Sequence, residues 1–449
     1  MRKVCTLLLL LYLFINPVLS QQNNNSTRPQ TTPLLKAYKD VNIPPAGTER
    51  IGAEEPTGTL DLVSAIRLAL LQNPELKVYS YEIRAREARA LQAGLLPNPE
   101  FDVEIENFGG NRSVSGFGAS ETTLAIGQLI ELAGKRSKRS RVAMLESDLA
   151  VWDYETKKLD VYFQVAQNLV DVLAAQERVA LQQELVNLAE QFLRSIERRV
   201  KAGKVSPAEA SRATVELSSA QIELENARRA LQAARKRLAA TWGSSEPRFE
   251  KVVGSLETVS EPPPLQKLRV ALGQNPDIAR WVVEMRHRES VLALEKAGRI
   301  PDPIISGGVR HFNEVGDQGF VVNLSIPLPI FDRNQGAIQE AELLKRQAEY
   351  QKKSVQIAIE TYLSQVYQSL SASYFEAFSL RDKILPQAQQ AFDIINEGYL
   401  SGRFRFLDVL DARRTMFEAR SRYLEALKNY HQLTAELERL ISQDLNSIR

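Results

Sequence analysis

Three histidines and a single cysteine in 449 residues leave little material for metal or thiol chemistry. The cysteine, Cys5, lies in the opening stretch MRKVCTLLLLLYLFINPVLSQQ, so the rest of the chain holds neither disulfide nor free thiol. His287, His311 and His431 are far apart, and no Cys or carboxylate cluster has ligand spacing, which argues against a tight metal site. There is no Walker motif, no nucleophile elbow and no acid pair in a glycine-framed loop. GGNRSVSGFG (109–118) is a glycine-rich loop without the strand–helix setting that would make it a phosphate cradle. Nothing argues for an enzyme, a cofactor or a bound metal. A charge surplus is missing too: removing residues 1–20 takes Arg2 and Lys3 and no acid, leaving 55 basic against 55 acidic residues. A balanced chain of this kind gives no case for a nucleic-acid partner. Apart from Leu7–Ile15 the sequence has no long apolar run, and that one is too short to span a bilayer as a helix.

The opening stretch has a different use. A basic start, the apolar run, and Val18 and Ser20 as small residues before a cut after Ser20 read as a signal peptide over 1–20. A large exported chain without disulfides is ordinary for a bacterial envelope protein. Residues 21–58 are polar and proline-bearing and read as an extended leader or linker.

Beyond the leader the chain says the same thing twice. ALLQNPEL (69–76) returns as ALGQNPDI (271–278), and GLLPNPEF (94–101) as GRIPDPII (298–305). LAIGQLI (124–130) returns as LSIPLPI (324–330), and VKAGKVSPAEA (200–210) as YLSGRFRFLDV (399–409). Four matches in order and in register imply a duplicated unit, too long for a solenoid repeat, with halves at 59–258 and 259–449. Each half reads as a helix (60–96, 264–299) closed by a Pro-x-Pro pair, Pro97/Pro99 or Pro301/Pro303, then a β-hairpin, then very long helices. The long stretches, 134–200 and 336–400, are broken by Gly203 and Gly402 at the hairpin tips before one more helix follows. Leu185, Leu188, Phe192 and Ile196 step by three and four along a core-facing stripe, while other faces carry Glu, Gln, Lys and Arg as in a coiled coil.

Strands are expected at 98–109, 120–132, 302–313 and 318–330. In the first, Phe101, Val103 and Ile105 alternate with Asp102, Glu104 and Glu106. In the last, Val322, Leu324, Ile326, Leu328 and Ile330 share one face, and Asn323 and Ser325 the other. The third segment, DPIISGGVRHFNE, alternates poorly. Period two with one apolar and one polar face suits a wall between lipid and water, although a half-buried soluble sheet gives the same pattern. Only four such strands occur, one hairpin per half, and nothing else in the sequence offers a sheet to cover them. Four strands cannot close a membrane barrel and open edges are not tolerated in lipid, so strands in a membrane require several copies to share one barrel. Dimer, trimer and tetramer all satisfy closure.

Taken together, LLPNPEFDVEIENFGG (95–110), SETTLAIGQLIELAGKRSKR (120–139), SIPLPIFDRNQG (325–336) and GRFRFLDVLDARRTMFEAR (402–420) resemble the TolC-type outer membrane efflux proteins, and most of all their CzcC-type heavy-metal branch. The resemblance covers nearly the whole mature chain. It implies a mixed fold, a membrane β-barrel plus a long α-helical coiled-coil barrel, with four strands per chain and the barrel shared in a homotrimer. It also implies an outer membrane location with the helices in the periplasm. The partners it implies are outer membrane lipid, a periplasmic adaptor (membrane fusion) protein and an inner-membrane RND-type pump.

Within FLDVLDA the acids Asp408 and Asp411 are three apart on one helix face just after Gly402. Helix electrostatics explains them, with Arg405 and Arg414 at pairing distance. The resemblance instead places them at the periplasmic tip, where acids from three chains ring the narrowest point of the tunnel and favour cations. It also makes Tyr399 a gate tyrosine, while Phe404 stands where a basic partner is expected. Glu209, the first half's counterpart, reads as part of a capping box with Ser206 and Pro207. Asp102, Glu104 and Glu106 would line the pore, or merely keep a wet wall solvated. The sequence therefore reads as a passive exit duct of a tripartite efflux system, carrying metal cations. The same duct for drugs or other organic compounds and a soluble periplasmic coiled-coil scaffold are the alternatives.

Overall fold

In the computed structural model Glu55 and residues 57–448 are described. The signal segment and nearly all of the leader lie outside the described residues. The first half runs β1 (Thr59–Leu60), α1 (Leu62–Gln72), α2 (Pro74–Ala93), β2 (Glu100–Glu106), β3 (Glu121–Leu129), α3 (Lys135–Lys201) and α4 (Pro207–Ala240). The second runs β4 (Lys251–Val252), α5 (Leu265–Ala271), α6 (Pro276–Gly298), β5 (Ile304–Phe312), β6 (Asp317–Ser325), α7 (Gln335–Ser379), α8 (Leu385–Leu400) and α9 (Phe406–Ile441).

The opening helix of each half is not continuous as expected over 60–96 and 264–299. It breaks at Asn73 and Asn275, each followed by a proline that pushes the preceding residue out of the helical region; their ψ angles are 122° and 126°. Both asparagines are buried and both serve two masters. The side-chain oxygen of Asn73 accepts from Leu76 N at 3.0 Å, and that of Asn275 from Asp277 N at 2.7 Å, capping the helix that follows. The amide nitrogens donate to carbonyls at the far ends of the return helices, Asn73 to Thr241 O at 2.8 Å and Asn275 to Leu440 O at 2.7 Å. These carbonyls sit in a last helical turn and have no partner within their own helix.

The 67-residue α3 would reach about 100 Å if straight, from its rise of 1.5 Å per residue. Its stripe works as the spacing predicts: Leu185 and Leu188 pack against Ala388, Met416 and Phe417, and Ile196 packs with Tyr399, Phe406 and Val409. The second long stretch continues from α7 into α8 through a π-turn at Leu380–Ile384. Pro386 follows immediately, and the wider turn accommodates its missing N–H and its ring. Near the other end of α9, the Tyr430 hydroxyl donates to Ser260 O at 2.7 Å and accepts from Ser260 N at 3.2 Å. His431 bonds Leu256 O at 2.8 Å. The segment joining the two halves is thereby fastened to the helices.

The four longer strands form one antiparallel sheet in the order β2-β3-β5-β6, so a hairpin from each half meets at the β3–β5 seam. All four are shorter than the sequence suggests. β6 in particular stops at Ser325 rather than 330, because Pro327 and Pro329 cannot donate to a ladder; Ile326, Leu328 and Ile330 lie beyond it. The poorly alternating third segment is a regular nine-residue strand. Its glycines are the reason for the weak pattern: a Cβ on Gly308 would sit 2.2 Å from Leu124 O, so only glycine permits this approach to β3. The outer edges of β2 and β6 have no strand beside them among the described residues.

Asn73→Ala and Asn275→Ala each remove a cap and strand a buried carbonyl, at a cost of about 1–3 kcal/mol. Because Thr241 adjoins one hydrophobic cluster and Leu440 belongs to another, the double variant should show close to the sum of the two losses. Chemical unfolding of the detergent-purified protein measures this; a loss at only one site would deny that the two asparagines do the same job.

Candidate functional site

The two helix hairpins end in equivalent turns. Lys204 N donates to Arg199 O at 2.9 Å and Gly203 N to Val200 O at 2.9 Å, and the same pair recurs as Arg403 N to Gly398 O at 2.7 Å and Gly402 N to Tyr399 O at 3.0 Å. This is the glycine C-cap motif, with φ of +70° at Gly203 and +81° at Gly402. Just inside the turns Phe192 stacks on Phe406, with centroids 5.6 Å apart and planes 10° off parallel, and Tyr399 tilts against both.

Tyr399 is buried between the hairpins. Its hydroxyl donates to Glu209 Oε2 at 3.3 Å, its carbonyl accepts from Arg199 Nη1 at 3.2 Å, and the Arg199 guanidinium lies 4.6 Å from its ring centroid. Burial, reinforced by Glu209, pushes the phenol pKa up. The capping box expected at Ser206–Glu209 is therefore only half formed. The Ser206 hydroxyl accepts from Ala208 N at 3.2 Å, but the Glu209 carboxylate turns away to Tyr399. The cation beside the tyrosine is Arg199, from the other half of the chain. Phe404 instead packs on Gly398, where a Cβ would lie 2.2 Å from its ring.

Asp408 and Asp411 stand apart from Tyr399, exposed on the other side of α9. Asp408 Oδ2 accepts from Arg405 N at 2.8 Å, so it caps its own helix, and Asp411 pairs with Arg414 at 3.0 Å. Both nevertheless border an open groove of about 480 Å³ shared with Ile395, Phe404 and Thr415. Below the tip, α9 is fastened to the first hairpin by a row of polar links. Arg413 bonds Glu216 at 2.9 Å, Arg420 bonds both oxygens of Glu184 at 2.9 Å, Gln432 bonds Asp171 at 2.9 Å, and Arg439 bonds Asp160 at 2.6 Å. Sequence reasoning missed this row, whose only trace is two pairs of basic and amide residues along one helix, 413/420 and 432/439, each pair a heptad apart.

At the other end of the molecule, strand register places Asp102, Glu104 and Glu106 on one sheet face with Thr123, Glu121, Ser306, Asn323 and Arg310. Arg310 reaches Glu106 at 3.2 Å, Glu121 at 3.1 Å and Thr123 Oγ1 at 2.9 Å, so it neutralises part of that wall. The opposite face carries Phe101, Val103, Ile105, Leu124, Ile126, Val322, Leu324 and Phe320, the last 93% exposed. An apolar face of this extent marks a surface that contacts lipid or another protein. Among the described residues no helix is long and apolar enough to cross a membrane, and no group of three or more His, Cys, Asp and Glu could hold a metal. His287 is buried, and burial lowers its pKa.

The family model described as outer membrane efflux protein matches residues 65–244 and 268–443, one span in each half. The chain belongs to the outer membrane efflux protein family. This efflux protein is 33% identical over 393 residues to the cobalt-zinc-cadmium resistance protein CzcC of Cupriavidus metallidurans, covering 87% of this chain and 91% of that one. It is 32% identical over 278 residues to the nickel and cobalt resistance protein CnrC of the same organism, covering 62% and 65%. In structure it matches the Campylobacter jejuni CmeC outer membrane channel with a TM-score of 0.70 at 17% identity, over 85% of each chain. The efflux protein is thus an outer membrane exit duct, not an enzyme, with its helices in the periplasm and its sheet as barrel wall. Family membership and the uncovered apolar sheet face set aside the soluble scaffold.

Arg413 and Glu216 make one hydrogen-bonded pair from very unequal positions, with side chains 8% and 45% exposed. Arg413→Ala strips a buried side chain and should cost about 2 kcal/mol, whereas Glu216→Gln, which water can compensate, should cost less than about 1 kcal/mol. Unfolding midpoints at constant m-value give the comparison; equal costs would mean that the ion pair itself, and not the burial of Arg413, matters.

Proposed function

We propose that this duct exports divalent metal cations. Three copies join edge to edge, β6 of one antiparallel to β2 of the next, giving a closed barrel of twelve strands. A periplasmic adaptor and an inner-membrane RND-type pump load the helical end and supply the energy, and the duct itself is passive. The halves 59–258 and 259–449 are read as copies of one ancestral unit. The observation that carries the cargo is the 33% identity, across 91% of its length, with a protein named for cobalt, zinc and cadmium resistance.

Asp408 and Asp411 form the gate ring. They are exposed on one helix face at the hairpin tip, and three copies around an axis would gather six carboxylates at the entrance. Such a ring attracts multivalent cations and repels anions. Their contacts within one chain, a helix cap and a surface pair with Arg414, are weak enough to coexist with this role. Tyr399, with Glu209 and Arg199, holds the two hairpins of one protomer together behind the ring. Asp102, Glu104 and Glu106 line the barrel and keep its wall attractive to cations, with Glu106 partly neutralised by Arg310.

Single-channel recording of the purified protein in planar bilayers tests this reading. Wild type should show a small, cation-preferring conductance blocked by trivalent cations from the helical side. In Asp408→Asn/Asp411→Asn, block should weaken on the order of tenfold as the ring loses its charge. Unaltered block would return both aspartates to helix electrostatics.

A further inference from the structure

Where the chain leaves the sheet for a long helix, an unusual combination of side chains lies open. Past the end of β6, Ile326, Leu328 and Ile330 keep the two-residue spacing of the apolar sheet face, and all remain exposed, Leu328 at 76%. Phe331 follows at 89% exposed. Beside Ile330 and Phe331 is a cleft of about 600 Å³ whose walls include Arg299, from the end of α6, and Arg333. Neither arginine has an acidic side chain within ion-pair distance among the described residues. Glu342 also borders the cleft, but it lies 3.4 Å from Lys296, which shares its charge. The end of β3 repeats only part of this combination: Ile130 and Leu132 are each 39% exposed and Arg136 is exposed, but no aromatic ring stands beside them in the chain.

We infer that the Arg299–Arg333 cleft is a binding site for an anionic phospholipid of the periplasmic leaflet. The placement decides the occupant. The apolar sheet face lies in lipid, and the cleft begins where that face ends on the helical side, at the depth of the headgroups. An exposed aromatic ring next to arginines is the pairing that membrane interfaces favour. A guanidinium gives two parallel hydrogen bonds to one phosphate, and two guanidinia facing one cleft hold a headgroup from both sides. Ile330, Phe331 and Leu328 then run alongside the first acyl carbons. The inference rests only on the outer membrane placement and is independent of the metal cargo.

The test uses the full protein, purified in a mild detergent and stripped of native lipid, with native mass spectrometry as readout. Phosphatidylglycerol is added at equal mole fraction with phosphatidylcholine, whose phosphate is offset by choline. Wild type should retain phosphatidylglycerol in preference, and Arg299→Gln/Arg333→Gln should lower that retention on the order of tenfold. Arg299→Lys/Arg333→Lys should recover part of it. Lys204→Gln/Arg212→Gln removes the same charge at the hairpin tip and should leave retention at the wild-type level. Equal retention by the glutamine variant, equal loss in the tip variant, or no preference for phosphatidylglycerol would each overturn the site. Single-channel conductance of the glutamine variant should equal that of wild type, which separates this site from the proposed gate.

Discussion

An unpaired strand edge in hydrocarbon is the constraint on which everything else in this chain depends. Every backbone N–H and C=O in the bilayer core needs a partner from protein, because no water is available to supply one. Among the described residues four strands form this sheet and leave two edges, β2 and β6, that are not joined to each other. Alternation along the sheet makes the edges usable: β2 and β6 run antiparallel, so the last strand of one copy fits the first strand of another. The demand for closure therefore settles that copies must combine, while the curvature of the shared wall and the packing of the helices beneath it set their number.

The two halves correspond in their hairpins and in most of the devices around them. Asn73 and Asn275 fasten their halves in the same way, and the turns at Gly203 and Gly402 have matching hydrogen bonds. The two halves then part company at the tip. Glu209 and Asp408 are counterparts three residues into equivalent helices, yet Asp408 caps its own helix while Glu209 crosses to the hydroxyl of Tyr399. Two carboxylates at equivalent positions thus do different work, one facing outward and one holding the hairpins together.

Much of this architecture was legible from residues alone. The period-two segments, the coiled-coil stripe through Leu185 and Ile196, and the Pro-x-Pro junctions depend on local spacing, which a sequence displays directly. What could not be read depends on contacts between distant segments. The break at Asn73 is local in its proline but distant in its reason, the carbonyl of Thr241. β5 alternates poorly because Gly308 answers to the backbone of β3, and the apolar spacing runs five residues past the end of β6 because its prolines end the ladder but not the pattern. In the sequence nothing sets Arg199 and Arg413 apart from the other cations of their two charge-rich helices. Only the fold shows that one lies over Tyr399 and that the other is buried against Glu216.

The small residues on the polar sheet face have a consequence for traffic. Register brings Ala125, Gly127, Gly308 and Gly319 to that face alongside Ser306. Side chains of this size fill little of the space in front of that face, so its chemistry is left to Asp102, Glu104, Glu106, Glu121 and Arg310. Such a wall can draw cations by charge but has no shape with which to tell one from another. Choice among cations then has to be exercised upstream, at the helical end.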